Sequence, residues 1–120
     1  VLVLFLDDSE RRIQIATDFF ENLKEDVSLC IAMNAHVAIE YLGLTEEPWE
    51  LVMLDHDLGG QVYQNSDEEN CGMEVVRYIE RTRPKIERIV VHSWNAPAGR
   101  EMQERLQQAG YDTAYQPFEG

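Results

Sequence analysis

Only two cysteines, Cys30 and Cys71, occur in the 120 residues, and their spacing fits no zinc site. Free thiols in a reducing cytoplasm are therefore expected rather than a disulfide. Basic residues are scarce as well: 10 Lys and Arg stand against 23 Asp and Glu, for a net charge of −13. Such a field repels long nucleic acids and anionic membranes, and no Lys/Arg run offsets it. The densest basic stretch is Arg81, Arg83, Lys85 and Arg88. Long apolar runs are also missing. The longest, Val1 to Leu6, is too short to span a bilayer, lacks the flanks of a secretion signal and reads as a strand. The sequence offers no Ser/His/Asp triad and no glycine-rich phosphate loop.

What is present is a regular alternation. Residues 1–120 suit one domain with a real core. Apolar strands are expected at Val1–Leu6, Val27–Ala32, Glu50–Leu54, Glu87–His92 and Tyr111–Tyr115. Between them, helical spacing predicts helices from Glu10 to Lys24, from Asn34 to Gly43, from Met73 to Arg83, and from Pro97 to Gln108. The order βαβαβαβαβ argues for an α/β domain with a parallel sheet and right-handed crossovers. One long polar segment, Gly59 to Gly72, interrupts the pattern, and loops of that length are usually functional or disordered.

Ligands of such sheets bind beyond the carboxyl ends of the strands. There this chain places Asp7-Asp8, Asp55-His56-Asp57 and His92-Ser93, with Gln116-Pro117-Phe118 after the last strand. Carboxylates gathered at one edge repel each other unless a cation joins them, and hard oxygen ligands suit Mg²⁺ or Mn²⁺. The metal ligands expected are Asp7, Asp8, Asp55 and Asp57. The plainer alternative is that Asp7 and Asp8 cap a helix while Asp55 and Asp57 begin a loop.

The Leu-Asp-Asp start, Leu54-Asp55, Gly72-Met73-Glu74-Val75-Val76, Val91-His92-Ser93 and Gln116-Pro117-Phe118 together resemble the receiver domains of response regulators. The resemblance implies a five-stranded parallel sheet in the flavodoxin-like order 2-1-3-4-5. It also implies a cation held by the paired acids and Asp55, phosphoryl transfer to Asp55, and a phosphoryl contact from Ser93. Two departures stand out: Gln116 replaces the family's Lys, and the loop after Asp55 is enlarged. Leu54-Asp55-His56-Asp57-Leu58 and Val91-His92-Ser93-Trp94-Asn95 are similar to the signatures of a divergent branch, the cyclic-phosphate processing receiver domains. That likeness implies a cytoplasmic, metal-dependent protein that binds a small phosphorylated ligand, with a cyclic phosphate phosphoesterase as the activity to test.

On this reading Asp55, His92, Ser93 and His56 are the candidate catalytic residues. The ordinary pKa of an imidazole suits proton transfer near neutrality. Strand alternation is expected to turn His56 away from Asp55 and Asp57. Arg11 and Arg12 could reach a phosphate, although pairing with surface acids is the favoured reading. Trp94 could stack on a base, close the pocket or merely pack. His36 reads as a surface residue, and the acidic residues of the long loop as solvated. Two rival functions stay open: a signalling receiver phosphorylated at Asp55, and a non-catalytic interaction module. Four helices are expected, with the fifth helix of a receiver missing before Gly120. The sheet face so exposed is expected to be covered by a second copy of the chain, as a homodimer, or by a shifted first helix.

Overall fold

The structure, a computed structural model, describes residues 1–23, 25–61 and 63–118. Its elements run β1 (Leu2–Leu6), α1 (Glu10–Glu21), β2 (Ser28–Ala32), α2 (Ala35–Leu44) and β3 (Leu51–Leu54), then α3 (Gly72–Thr82), β4 (Ile89–Val91), α4 (Ala96–Gln108) and β5 (Thr113–Tyr115). All strands are parallel, in the order β2-β1-β3-β4-β5, as expected of a receiver-type α/β sheet. Among the described residues no helix is long and apolar enough to cross a membrane.

Alternation along each strand builds two unequal faces. Leu4, Leu6, Val52, Leu54, Ile89 and Val91 point to one side, where they join Ala38, Leu42, Val75, Val76, Ile79, Met102 and Leu106 from α2, α3 and α4. Val3 and Phe5 point to the other side and are buried there, while Leu51, Met53, Val90 and Ala114 on that side remain half-buried. On this second side an apolar groove of about 290 Å³ lies between α1 (Ile15, Ala16, Phe19, Phe20) and Leu51, Met53 and Phe118. Part of the expected open face is thus visible. The expectation that no fifth helix follows before Gly120 falls on Glu119 and Gly120, which lie outside the described residues; α1 ends at Glu21, short of the expected Lys24, itself outside the described residues.

Several boundaries differ from expectation for local reasons. Gly43 does not end α2, which runs on to Leu44; a Cβ there would stand 3.1 Å from the Tyr78 hydroxyl oxygen. β5 starts two residues late because Tyr111 belongs to the end of α4, its N–H donating to Leu106 O at 3.0 Å and its hydroxyl to Pro84 O at 2.7 Å. β4 is shorter than expected, Ile89–Val91, and just before the expected start the chain makes only an isolated bridge, Ile86 with Trp49. Side chains cap three helices: Ser9 accepts from Arg12 N–H, Asn34 from Val37 N–H and Asn95 from Ala98 N–H. Both cysteines are free, as expected. Gly72 starts α3 so close to the end of β3 that a Cβ would fall 1.9 Å from Asp55 O, which excludes any other residue without moving backbone.

Candidate metal and phosphate site

The register of the sheet assembles the site. Leu6 pairs with Leu54 and Leu54 with Val91, so the residues that follow stand side by side. The ladder continues through them: Asp7 N–H donates to Ala32 O, Asp55 N–H to Leu6 O, and His92 N–H to Leu54 O. Asp7, Asp55 and His92 share the side of Val3 and Phe5, and each can present a ligand atom within 4.8 Å of the others. All three are buried.

Asp7 is the hub. Its carboxylate accepts from Ser9 N–H at 2.9 Å and from two nitrogens of Arg12, at 2.7 and 3.0 Å, and it lies 3.0 Å from His92 Nε2. The ring of His92 stacks on Phe5 and meets Phe118 edge-on. Among the described residues its buried Nδ1 finds no partner, and the imidazole is held by one polar contact and two aromatic ones. Arg12 also reaches Asp55 Oδ2 at a long 3.4 Å, and the other Asp55 oxygen accepts from His56 N–H at 2.8 Å. Arg12 therefore bridges two aspartates from different strands, where surface pairing was the expectation.

Above this pair opens a cavity of about 220 Å³ lined by Asp8, Arg12, Asp55, Asp57, Gly60, Gln61, His92, Ser93 and Trp94. Asp8 accepts from Gly60 N–H at 2.7 Å, which ties the long loop over the cavity rim. Ser93 Oγ accepts from Asn95 N–H at 3.1 Å, leaving the hydroxyl hydrogen free to donate.

His56 and Asp57 sit differently. Asp57 accepts from His56 Nδ1 (2.8 Å), Asn95 Nδ2 (3.1 Å), and the N–H groups of Tyr63 and Gln64 (both 2.9 Å). His56 Nε2 meets Ser66 Oγ at 2.9 Å, and the ring is fully buried. The expected separation of His56 from Asp57 is corrected: alternation holds only inside a strand, and β3 ends at Leu54. Gln64 continues the latch, accepting from Leu58 N–H and donating to Asn70 O. Arg77 closes it from α3 through the carbonyls of Ser66 and Glu68.

The carboxyl groups respond in opposite directions. Asp55 is pushed up to about 6, first by burial and then by repulsion from Asp7. Asp7 is held below the usual range: burial opposes this, but His92, Arg12 and the Ser9 amide outweigh it. Asp57 is likewise lowered, burial being outweighed by His56, Asn95 and the loop amides. His56 is raised, since Cys71 and Asp57 outweigh the burial that disfavours its charged form.

The family model described as cyclic-phosphate processing Receiver domain matches residues 2–108. The chain belongs to that receiver family. Solved structures similar to this receiver domain share its fold. One is the signal receiver domain of a putative Luxo repressor protein from Vibrio parahaemolyticus, with a TM-score of 0.66 and 16% identity over 98% of this chain and 79% of that one. Another is a response regulator from Burkholderia pseudomallei, with a TM-score of 0.65 and 18% identity over 99% of this chain and 60% of that one. A third is the response regulator Rcp1, with a TM-score of 0.64 and 17% identity over 97% of this chain and 79% of that one. No relative matches among the curated proteins.

In this receiver domain Asp8, Asp55, His92 and Ser93 line one cavity, Asp7 is buried beside Asp55 and His92, and Asp57 lines the cavity wall while holding the loop. His56 lies behind the wall. Gln116 is exposed. Sequence reasoning passed over Gly60, Gln61 and Gln64, and it undervalued Arg12. The signal for Arg12 was its place in the first turn of a helix that starts beside an acidic pair.

Proposed function

We propose that this receiver domain binds a small cyclic phosphate and opens its ring, assisted by a divalent cation held by Asp8 and Asp55 beside Asp7. The observation that carries the reading is a surplus of buried negative charge. Asp55 is 4% exposed and pushed up to about 6, and Arg12 alone among the described residues brings a permanent positive charge to it. The residues fit a hard cation: among the described residues Asp55 Oδ2 has only the 3.4 Å contact to Arg12, and Asp8 only the amide of Gly60. The fold neighbours support this choice, since Rcp1 is described in an Mn²⁺-bound form and the Burkholderia protein with a calcium ion and a phosphorylated aspartic acid.

When bound, the ion would supply charge against the phosphoryl oxygens and acidify a water. The chain's own residues do the rest. Ser93 donates its free hydroxyl to a phosphate oxygen, and Arg12 offers the guanidinium face left over from Asp7. Water adds across one P–O ester bond; its oxygen stays on phosphorus and a proton goes to the departing oxygen. The Asp7–His92 pair, Oδ2 to Nε2 at 3.0 Å, is the proton relay nearest that event. His56, fixed on both ring nitrogens, keeps the loop in place.

Glycerol 1,2-cyclic phosphate with Mg²⁺ or Mn²⁺, followed by ³¹P NMR, tests the reading. Ring opening is expected, lost in Asp55→Ala and reduced at least tenfold in Ser93→Ala. At Mg²⁺ ~100-fold above its dissociation constant, thermal stability should also rise by about 2.7 kcal/mol. An intact ring together with a melt indifferent to both ions would sink it. The rival reading, phosphoryl acceptance at Asp55, has the Burkholderia structure in its favour. Against it, exposed Gln116 replaces the cation that would hold an aspartyl phosphate. A durable phosphoryl adduct by intact mass, absent from Asp55→Ala, would favour that rival.

A further inference from the structure

Trp94 lines the cavity, and neither the carboxylate cluster nor the loop latch explains its position. It is 64% exposed, among the most exposed large apolar side chains of a chain whose other tryptophan, Trp49, is buried. Exposed apolar residues are often incidental, but this one has a polar anchor. Its indole N–H donates to Phe118 O at 2.7 Å. The residues on either side are buried: Ser93 accepts from Asn95 N–H, and Asn95 both caps α4 and donates to Asp57. The ring is thus held by its polar edge at the mouth of the cavity, with much of its surface in water. A packing role would bury that surface, and a gating role would leave the ring free to swing.

The cavity itself is small. At about 220 Å³ it falls below the ~300–1,000 Å³ that encloses a whole drug-sized ligand. It can take a phosphate and the atoms next to it, so any larger ligand must extend over the rim. Of the lining residues, only Trp94 offers a broad π-face there; Gln61, from the loop, adds an amide with both donor and acceptor capacity. An aromatic plane anchored by its edge beside a phosphate-sized pocket matches a ligand whose phosphate and planar ring are joined by a short sugar spacer.

We infer that the ligand is a nucleoside phosphate whose base stacks on Trp94 while its phosphate enters the cavity. The inference rests on the phosphate reading above and narrows its substrate class. Stacking tolerates different bases, because every base has a π-face, so affinity should depend more on the presence of a base than on its identity.

Calorimetric titration with Mg²⁺ present tests this with two phosphomonoesters that have no ring to open, adenosine 3′-monophosphate and glycerol 1-phosphate. The nucleotide should bind about tenfold more tightly, W94A should remove that advantage, and W94F should keep most of it. Equal affinity of the two ligands for the wild-type protein would overturn the inference and leave the phosphate reading standing. So would a W94A variant that weakens both ligands by the same factor, since Trp94 would then only shape the pocket. Failure of both ligands to bind the wild-type protein would remove the phosphate reading and the inference together.

Discussion

Two aspartate–histidine clusters stand side by side at the edge of this sheet, built from the same residue types and put to opposite uses. In the latch, Asp57 takes four donors, and both nitrogens of His56 have partners. In the hub, Asp7 is as well supplied, but among the described residues Asp55 beside it is under-supplied and His92 keeps a buried nitrogen with no partner. Saturated polar groups specify a structure, whereas a buried charge left partly unmet is poised to take a ligand. The contrast turns on partners. Both clusters are largely buried, and both contain a histidine bonded to a carboxylate.

The sharpest way to break the contrast is to remove the cation of the hub. Arg12→Ala leaves Asp7 and Asp55 facing each other in the interior, and a loss of about 3 kcal/mol in chemical denaturation is expected. Millimolar Mg²⁺ should restore more stability to this variant than it adds to the wild-type protein. Equal gains in the two proteins would mean that the cation does not bind at the hub.

A smaller effect, of opposite sign, is expected at Asp55. Its carboxyl titrates near 6 in the folded state against about 4 when unfolded, so the folded protein binds the extra proton between those values. Its unfavourable contribution therefore appears as pH rises through that window. Without metal, Asp55→Asn should stabilise the protein by about 2 kcal/mol at pH 7.5, and the gain should shrink towards zero below pH 4. Asp57 has the reverse sign: its lowered pKa gives stability that is present above the ordinary carboxylate value and lost on acidification below it. Denaturation midpoints of the two Asn variants across pH would show whether the slopes differ in this way. Parallel slopes would erase the distinction drawn here.

The smallest effect falls on the link between the clusters. Asn95→Ala removes the α4 cap and one donor to Asp57, for a loss of about 1 kcal/mol. Asn95→Asp keeps the cap but sets a carboxylate against Asp57, so it should be the worse of the two at pH 7 and recover on acidification.

Much of this was legible in the sequence, for identifiable reasons. Strand and helix alternate cleanly, so the parallel sheet and the convergence of Asp7, Asp55 and His92 followed from apolar runs that each end in a polar residue. Arg12 was misjudged because one-dimensional spacing hides direction. Helical side chains lean towards the N-terminus, so a residue in the first turn of α1 reaches back over the acidic pair before it. The His56–Asp57 contact escaped because the period-two rule was carried past the strand end at Leu54. Gln64 left no local signal at all; its role comes from a loop that closes on itself.

The net charge of −13 has a kinetic consequence at this site. An anionic ligand approaches through a repulsive field and meets the attraction of Arg12 and Ser93 only at short range. Salt contracts that field to a range of ~10 Å at 0.1 M, so association should quicken as ionic strength rises, where binding to a basic pocket would slow. Stopped-flow quenching of exposed Trp94 would read the trend directly, and a divalent ion bound beforehand should flatten it.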